Sequence, residues 1–489
     1  MEFATLNNGV QMPMAGIGTF LLTPDEAEAS VLSALACGYR LIDTANAYVN
    51  EKAVGRAMKK SGVARRDIFL ETKLWPSFYE QADAVDKTLA RLDTDYIDLL
   101  LIHQPAGNYI AGYQLMEKAY KEGKGAAGQH LPGILAGYGP NVLLAYGGGS
   151  IKRNGVYEEL TGILKAAGKT VTEFAGIMSN PTYAKVREGA RLAREHHIDL
   201  ILGVGGGSVV DCCKVVSAQA VLDEDIWSME YQSGKFPTDG IPMGAVVTAS
   251  GTGAEMNSGA VITCEDKNWK GPIVGIAARF AILDPAYTAS VPAMQVLSGA
   301  FDTLSHAMET YLGQSDRDNV SDDVALAVMR NTVVNMRRLL VDINDLQARG
   351  NLMWDSAMAE NGILKVGRLT DFQGHQIEHQ LGAFTDCNHG QGLAVIHPAY
   401  YRRIVKDAPE KFARMGREVF GVDGAEAAVK ALASFIQECG LPTRLSQLRS
   451  KVEITPEVLR KVADTCNLIP SGPRQLSRDE IYDLLVECL

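Results

Sequence analysis

The segment GAFDTLSHAMETYL, residues 299–312, decides how the larger part of this chain folds. Asp302 and His306 stand four residues apart in it, and apolar residues such as Leu304 and Met308 recur at helical spacing. Because an α-helix has 3.6 residues per turn, both polar side chains leave from one face. The segment therefore predicts a helix that presents a carboxylate beside an imidazole.

A second pair of polar side chains follows in GHQIEHQLG, where His375 and His379 stand four residues apart, and His389 comes next in CNHGQG. One carboxylate oxygen with three imidazole nitrogens suits iron(II) or zinc better than calcium or magnesium, which prefer oxygen ligands. A single such pair is more often a polar helix face than a ligand pair, but two pairs and a further histidine in one segment favour a metal site. The HExxH pattern is absent because Gln376 stands in it, which disfavours hydrolytic zinc chemistry.

Length and composition restrict the class of protein. A chain of 489 residues is longer than one hydrophobic core usually supports, so two or three domains are expected. The net charge of -11 argues against a nucleic acid or an anionic membrane as partner. Eight cysteines without a CxxC pair fit free thiols in a reducing compartment, and neither a signal-peptide pattern nor a long apolar run occurs. We therefore expect a cytoplasmic protein.

Residues 1–124 consist of short βα units. The strands MAGIGTF, LIDTA, IFLETKL and IDLLLIH each precede a helix, and Asn7-Asn8-Gly9 indicates a hairpin turn. Four such units make about half of an eight-stranded barrel. The barrel pattern then stops, and the glycines in residues 125–128 indicate a linker. We expect a partial (β/α) half barrel with two exposed sheet edges.

Four polar side chains of this half barrel stand at or just past the carboxyl ends of its strands, where barrel enzymes carry their chemistry: Asp43, Tyr48, Lys73 and His103. A lysine near a tyrosine lowers the pKa of the phenol, and an aspartate holds the lysine, so Tyr48 is a candidate proton donor to a carbonyl oxygen. In LIDTANAYVNE, ETKLWP and LLLIHQP the set closely resembles the aldo-keto reductases. That resemblance implies a catalytic tetrad with the tyrosine as proton donor and NADPH as hydride source.

The resemblance covers only the front half of that family, roughly Glu2 to Lys124. The fifth strand and the basic loop that holds the NADPH phosphate do not follow. We therefore expect the tetrad to be inactive on an incomplete scaffold, and Tyr48→Phe to leave reductase activity nearly unchanged.

Residues 125–294 combine apolar strands with glycine-rich turns. The strand NVLLAY runs into residues 147–150, and the strand DLILGV runs into residues 205–208 and a helical segment, with the sequence GGGS in both turns. Backbone amides of such a turn approach a phosphate, while the helix dipole favours negative charge. Although neither turn has the GxGxxG form, the two together indicate a Rossmann-like dinucleotide-binding α/β domain with a mostly parallel sheet.

Other polar residues of this domain are candidates for cofactor binding. Asp211 lies in the first turn after the second GGGS, where it either balances the helix dipole or contacts the ligand. Thr248 and Ser250 follow a further strand and are donors to phosphate or ribose, unless the segment is an ordinary loop. Lys270 either reaches a phosphate or faces solvent.

Residues 295–489 show long stretches of helical periodicity and almost no strand signals. The fold class expected for the whole chain is therefore α/β: a half barrel over residues 1–124, a dinucleotide-binding domain over 125–294 and an all-helical metal-binding domain over 295–489. The metal site is expected to face a cleft with the nucleotide domain.

The motifs GGGSIKRNG, GGGSVVDCCK, TASGTGAEMN, FDTLSHAMETY, GHQIEHQLGAF and NHGQG stand in this order between about Gln129 and Leu489. This part of the chain resembles the iron-dependent (group III) alcohol dehydrogenases, and among them the butanol-dehydrogenase-like, NADPH-using members. The resemblance implies that His379 lies near the nicotinamide and that four side chains bind the metal: Asp302, His306, His375 and His389.

The same resemblance implies a cofactor site. It assigns pyrophosphate and nucleotide contacts to Gly205, Gly206, Gly207, Ser208, Asp211, Thr248 and Ser250. The first turn, with Gly148, Gly149 and Ser150, stands where NAD-preferring members carry an acidic residue. A neutral turn with Lys152 nearby therefore implies a preference for NADP(H) over NAD(H). The strand and hairpin that precede the first GGGS strand in this family are replaced here by the reductase fragment.

Taken together, the motifs indicate a metal-dependent alcohol dehydrogenase or aldehyde reductase acting on small primary alcohols and aldehydes. Iron(II) or zinc acts as the Lewis acid, hydride moves to or from nicotinamide, and His379 relays the proton. We expect a homodimer. The alternatives are a bifunctional or aldo-keto-reductase-type carbonyl reductase that uses Tyr48, a polyol dehydrogenase or dehydroquinate-synthase-like lyase, a front segment that serves only as an assembly module, and an artificial fusion.

Overall fold

The computed structural model describes residues 2–5, 11–81, 83–94, 96–121, 126–314 and 319–489. The chain divides into two compact units, Met1–Gly123 and Lys124–Leu489. Two sequence predictions fall outside the described residues, namely the turn at Asn7-Asn8-Gly9 and the domain boundary between residues 124 and 125. None of the described helices is both long enough and apolar enough to cross a membrane.

The first unit is built on a four-stranded parallel sheet. A short antiparallel pair, β1 (Phe3–Thr5) and β2 (Gln11–Pro13), precedes it. The sheet strands, in spatial order, are β3 (Gly16–Gly18), β4 (Leu41–Asp43), β5 (Phe69–Leu74) and β6 (Leu99–Ile102). They alternate with helices α1 (Pro24–Ala36), α2 (Glu51–Lys60), α3 (Ala84–Leu92) and α4 (Tyr109–Lys121). Consecutive parallel strands, each followed by a helix, are the arrangement of half an eight-stranded barrel, as the sequence predicts.

The second unit begins with a five-stranded parallel sheet flanked by helices. Its strands are β7 (Asn141–Tyr146), β8 (Thr170–Phe174), β9 (Leu200–Gly205), β10 (Met243–Val247) and β13 (Phe280–Leu283). A separate antiparallel hairpin consists of β11 (Gly259–Cys264) and β12 (Trp269–Val274). The helices are α5 (Ala126–Leu135), α6 (Ser150–Arg153), α7 (Val156–Ala166), α8 (Tyr183–Glu195), α9 (Gly207–Gln219) and α10 (Ile226–Ser233).

The strand order of this sheet determines where a ligand binds. The spatial order is β13-β10-β9-β7-β8, so the chain leaves β7 first to one side, for β8, and then to the other side, for β9. Such a reversal opens a crevice between β7 and β9 at the carboxyl ends of the strands. Leu143 pairs with Ile201 in the register of these two central strands, which are almost wholly buried, as expected for a sheet covered by helices on both faces.

The rest of the second unit is helical. Its helices are α11 (Ala293–Leu312), α12 (Val320–Val341), α13 (Leu346–Glu360), α14 (Gln373–Thr385), α15 (His389–Ile404), α16 (Pro409–Met415), α17 (Ala425–Glu438), α18 (Pro456–Thr465) and α19 (Arg478–Glu487), with a π-helical turn at Gly416–Phe420. This agrees with the predicted helical region.

Helix α11 is the central element of this helical region. Every residue from 300 to 312 is buried, and α12, α13 and α15 pack around the helix. Phe301, Leu304 and Met308 join the hydrophobic core, so the apolar face is in its expected place. The polar face is buried as well, and buried polar groups cost free energy unless they have partners.

Candidate active site

The polar face of α11 supplies one side of a buried cluster of ionisable groups. Asp302, His306 and Glu309 follow one another at spacings of four and three residues, which brings them onto one helix face. All three residues are buried, and Glu309 is completely inaccessible. A buried carboxylate is stable only with charged or hydrogen-bonding partners, so the surrounding helices must supply them.

Helices α14 and α15 supply these partners. His375, Glu378 and His379 lie in α14 and are buried, while His389 is the first residue of α15. The side chain of Asn388 caps α15 by accepting a hydrogen bond from the backbone N–H of Gln391 at 3.1 Å. This cap fixes the start of the helix and therefore the position of His389.

Three of the four predicted metal ligands, Asp302, His375 and His389, bring their ligand atoms within 4.8 Å of one another, and the ring of His306 lies beside them. The Oδ1 atom of Asp302 lies 3.6 Å from Nε2 of His375 and 3.6 Å from Nε2 of His389. The ring centroids of His306 and His375 are 4.3 Å apart. Nδ1 of His306 lies 2.9 Å from the backbone oxygen of Asp302, so this nitrogen carries the proton and Nε2 is left to bind an ion.

Two carboxylates that the sequence analysis missed hold the other nitrogens of these histidines. Glu309 accepts a hydrogen bond from Nδ1 of His375, and Glu378 accepts one from Nδ1 of His389. Each contact turns Nε2 toward Asp302, so that this nitrogen faces the candidate metal position. Metal-binding histidines usually have such a carboxylate behind them, because it fixes the tautomer and the ring orientation.

The donor set fits a divalent metal ion. Two ligand atoms bound to one tetrahedral ion at about 2.1 Å lie about 3.4 Å apart, close to the separations around Asp302. Oδ1 of Asp302 and Nε2 of His375 are buried, and neither makes a hydrogen bond of normal geometry to any described residue. Buried polar atoms rarely lack partners, so these two atoms face a position that an ion would fill. Nitrogen and carboxylate ligands suit iron(II) or zinc.

The charges in the cluster shift one another's protonation. Burial alone raises the pKa of Asp302, but His306, His389 and His375 outweigh that effect and hold the pKa well below its ordinary value. Burial lowers the pKa of His375, but Glu309 and Asp302 raise it to about 10. The carboxylate of Asp302 is therefore ionised, which favours a cation beside it, and a metal ion bound to Nε2 of His375 would displace the second proton of that imidazole.

His379 differs from the other histidines in its environment. Burial, with smaller contributions from His389 and Lys270, holds its pKa well below the ordinary value. Its ring stacks on that of His389, with the centroids 5.2 Å apart. His379 is therefore a neutral imidazole next to the predicted metal ligands.

The two glycine turns lie on either side of the crevice between β7 and β9. Gly147 follows the last residue of β7, and Gly149 has a φ of 86° that a residue with a side chain rarely adopts. Gly205 ends β9, and Gly206 and Gly207 lead into the N-terminus of α9. The backbone N–H groups at this helix start, together with its dipole, suit a phosphate group.

A loop after β10 connects the second glycine turn to the metal cluster. A Cβ atom on Gly207 would lie 2.3 Å from Oγ1 of Thr252, so the turn and the loop touch. On the other side, Thr303 of α11 donates a hydrogen bond to the backbone oxygen of Gly251 at 2.8 Å, and a Cβ on Gly251 would lie 3.5 Å from Oδ2 of Asp302. The phosphate-binding turn and the metal cluster are thus separated by one loop.

Two predicted cofactor contacts have other partners in the structure. Asp211 accepts hydrogen bonds from the backbone N–H of Val261 at 3.0 Å and from Lys214 at 3.2 Å, which ties α9 to β11. The expectation that Lys270 faces solvent is wrong, because the residue is buried. Its Nζ atom lies 3.4 Å from Oε2 of Glu378, so the predicted phosphate partner is instead part of the charge network behind His389.

The four tetrad side chains of the first unit also lie close together. Lys73 forms an ion pair with Asp43, and its Nζ atom is 3.4 Å from Oε1 of Glu71. The rings of Tyr48 and His103 meet edge to face with centroids 5.6 Å apart. The expected lowering of the phenol pKa is wrong: burial, followed by Glu71, raises the pKa of Tyr48.

Comparison with known proteins agrees with this division of the chain. Residues 118–285 match the model of the iron-containing alcohol dehydrogenases, and residues 296–489 match the model of the C-terminal part of the Fe-containing alcohol dehydrogenase family. Residues 14–127 match the aldo/keto reductase family. The chain therefore joins part of one family to most of another, as the order of the motifs predicts.

The matches to individual relatives cover most of the length of each relative. NADH-dependent butanol dehydrogenase A of Clostridium acetobutylicum is 36% identical over 333 residues, which cover 65% of this chain and 85% of that protein. NADPH-dependent aldehyde reductase YqhD of Escherichia coli is 32% identical over 333 residues, or 66% of this chain and 86% of the relative. The crystal structure of NADH-dependent butanol dehydrogenase A from Thermotoga maritima has a TM-score of 0.70 at 32% identity, covering 75% of this chain and 95% of that one. The chain belongs to the iron-containing alcohol dehydrogenase family.

Proposed function

We propose that this protein is a metal-dependent, NAD(P)H-linked alcohol dehydrogenase that interconverts primary alcohols and aldehydes. One observation carries the proposal: His375 and His389 each present Nε2 at 3.6 Å from Oδ1 of Asp302, next to a loop that touches the phosphate-binding turn. A dehydrogenase of this class needs a Lewis acid and a nicotinamide within reach of the same substrate carbon. The relatives named for butanol oxidation and aldehyde reduction support the same activity.

The protein's own side chains prepare the reacting groups. When bound, iron(II) or zinc polarises the substrate oxygen, and a nicotinamide cofactor supplies or accepts the hydride. Asp302, His306, His375 and His389 would hold the metal. Glu309 and Glu378 orient His375 and His389 by accepting from Nδ1, so that Nε2 of each ring faces the metal position.

Other side chains orient the cofactor. Amides at the start of α9, from Gly206 to Ser208, hold the pyrophosphate, and Thr248 and Ser250 contact the nucleotide. His379, neutral because it is buried, accepts the proton released by an alcohol and returns it in the reduction of an aldehyde. This scheme does not use Tyr48.

We further propose that NADP(H) is preferred over NAD(H). The first glycine turn carries no carboxylate to repel a 2′-phosphate, and the cation of Lys152 lies just beyond it. The names of the relatives include both NADH-dependent and NADPH-dependent enzymes, so the preference rests on this chain's own residues. The eight free cysteines suit a reducing compartment, which supports the cytoplasm as location, and a homodimer remains the expected assembly.

Metal analysis combined with an aldehyde assay tests the proposal. We expect the purified protein to contain iron or zinc, to oxidise NADPH faster than NADH in the presence of a short aldehyde, and to lose this activity on chelation. His375→Ala is expected to lose both the metal and turnover, whereas His196→Ala, which removes an exposed imidazole at the end of α8, keeps both. Full metal-dependent activity in His375→Ala would overturn the proposal.

A further inference from the structure

An ion pair lies beside the first glycine turn and takes no part in the chemistry above. Nζ of Lys152 is 3.0 Å from Oε2 of Glu173. Glu173 also accepts a hydrogen bond from the hydroxyl of Tyr157 at 2.6 Å and another from the hydroxyl of Tyr146. The ammonium of Lys152 lies over the ring of Tyr157, 4.3 Å from its centroid. Two tyrosines therefore hold the carboxylate and the ammonium in place.

The pair lies at the carboxyl edge of the sheet. Glu173 is the second-last residue of β8, and Tyr146 is the last residue of the neighbouring β7, directly before the glycine turn. The chain after β8 is attached to that turn, because the backbone N–H of Gly176 donates to the oxygen of Gly147 at 3.1 Å. Glu173 and Lys152 therefore stand on both sides of the first glycine turn.

In dinucleotide-binding sheets, residues at this position recognise the 2′ position of the cofactor's ribose. An acidic residue at the end of the strand that follows the first glycine turn accepts a hydrogen bond from the ribose 2′-hydroxyl of NAD, while a cation there accommodates the 2′-phosphate of NADP. Glu173 and Lys152 provide both groups at one place. Their side chains are 42% and 43% exposed, so a ligand can reach them.

Both groups keep bonding capacity for a ligand. The ammonium of Lys152 has three N–H donors, of which Glu173 and Tyr146 engage two, so one remains for a phosphate. An ionised carboxylate has about four acceptor positions, and the two tyrosines and Lys152 occupy three of them. These hydrogen bonds lower the pKa of Glu173 to about 2, so the carboxylate is charged at physiological pH.

We propose that the pair of Glu173 and Lys152 recognises the 2′ position of the cofactor's adenosine ribose and sets the choice between NADP(H) and NAD(H). Lys152 attracts the 2′-phosphate, while Glu173 accepts from the 2′-hydroxyl and repels the phosphate. Because the two charges oppose each other, the native preference for NADP(H) is weaker than Lys152 alone would give, and removal of either charge exposes the effect of the other. The inference rests on the proposed dinucleotide function and deepens it.

Binding of nucleotide fragments tests the pair without catalysis. Titration calorimetry with adenosine 2′,5′-bisphosphate and with adenosine 5′-monophosphate gives a ratio of dissociation constants that reports the 2′ position alone. In Glu173→Gln, which keeps an oxygen for the tyrosines, we expect preference for the 2′-phosphate to rise about fivefold. In Lys152→Gln we expect it to fall about fivefold, and the ratio of kcat/KM for NADPH over NADH to follow in both variants.

Matched controls separate this effect from a change of net charge. Glu158→Gln removes an exposed carboxylate from the neighbouring helix α7, and Arg153→Gln removes the cation next to Lys152, and both should leave the ratio unchanged. The double variant Glu173→Gln/Lys152→Gln should return the ratio to near the native value, since both opposing charges are gone.

The outcomes distinguish the two proposals. If the native protein binds neither nucleotide and transfers no hydride, the proposed function is wrong. If the native protein uses a dinucleotide but the ratio stays within about twofold of native in both single variants, or moves in the same direction in both, only the role of the pair is wrong. Thermal unfolding of each variant checks that the variant is folded before its binding is compared with that of the native protein.

Discussion

Glu309 is the residue that decides which nitrogen of His375 is free to bind an ion. It accepts hydrogen bonds from Nδ1 of His375 and from the backbone N–H of Gly374, the latter at 2.6 Å. Glu309→Gln keeps the shape but replaces one acceptor oxygen by an NH₂ donor, so the imidazole loses its fixed tautomer. We expect the metal dissociation constant to rise about 10- to 100-fold, measured by competition with a chelator of known affinity.

The control for this variant is Glu438→Gln, which removes a surface carboxylate that pairs with Arg337. It should bind metal like the native protein. Native metal affinity in Glu309→Gln would show that the carboxylate behind His375 does not orient it.

Among the residues of the site, the sequence predicts the paired metal ligands but not the carboxylate that orients His375. Asp302 with His306, and His375 with His379, are recognisable because four residues make about one helical turn. Glu309 is 66 residues from His375 along the chain, and only the packing of α11 against α14 brings the two together. A local signal for Glu309 does exist, since it continues the polar face of α11 three residues after His306, but it does not show what the carboxylate contacts.

At the scale of elements, the contact between α11 and the loop after β10 joins the metal cluster to the cofactor turn. A Cβ atom on Gly299 would lie 2.3 Å from the backbone oxygen of Ser250. Only glycine, which has no Cβ, avoids this overlap. Gly299→Ala therefore pushes the loop away from the helix. We expect the free energy of unfolding to fall by about 1–3 kcal/mol, measured by denaturant titration, and kcat to fall with it.

A second glycine in a helix provides the matched control. Gly162 lies in α7, and no atom of the described residues lies within 4 Å of a Cβ placed there. Gly162→Ala should raise the free energy of unfolding by about 0.5–1 kcal/mol through its better helix propensity, with kcat unchanged. If both glycine variants behaved alike, close packing at Gly299 would not be the cause.

The elements themselves are predictable to different degrees. The strands β7 and β9 are continuous apolar runs that end in glycine turns, so their type and their place in a parallel sheet follow from the sequence. The hairpin of β11 and β12 is not predicted, because its two strands surround a turn with Asn268 at a φ of 46° rather than a common two-residue hairpin signal. That hairpin is the element that brings Lys270 to Glu378.

At the scale of the whole molecule, two sets of catalytic-looking side chains occupy separate units. The tetrad lies in Met1–Gly123, and the candidate metal ligands and glycine turns lie in Lys124–Leu489. The order of motifs along the chain is sufficient to predict this arrangement, because each motif set stays within its own unit. The protonation of the tetrad is not predictable in the same way, since it depends on burial and on the charge of Glu71, which the motif ETKLWP contains but whose effect on Tyr48 only the fold determines.

The last prediction concerns which unit reduces aldehydes. A general acid contributes about 10²- to 10⁴-fold to a rate when its pKa lies near the working pH, but burial and the nearby Glu71 raise the pKa of Tyr48 away from it. We therefore expect Tyr48→Phe to keep NADPH-dependent aldehyde reduction within about twofold of native, while chelation abolishes it in both proteins. Tyr79→Phe, which removes a phenol that bonds to the backbone of Gln104 in the same unit, controls for a change in that fold. A loss of about 100-fold in Tyr48→Phe, or activity that survives chelation, would instead assign the reaction to the half barrel.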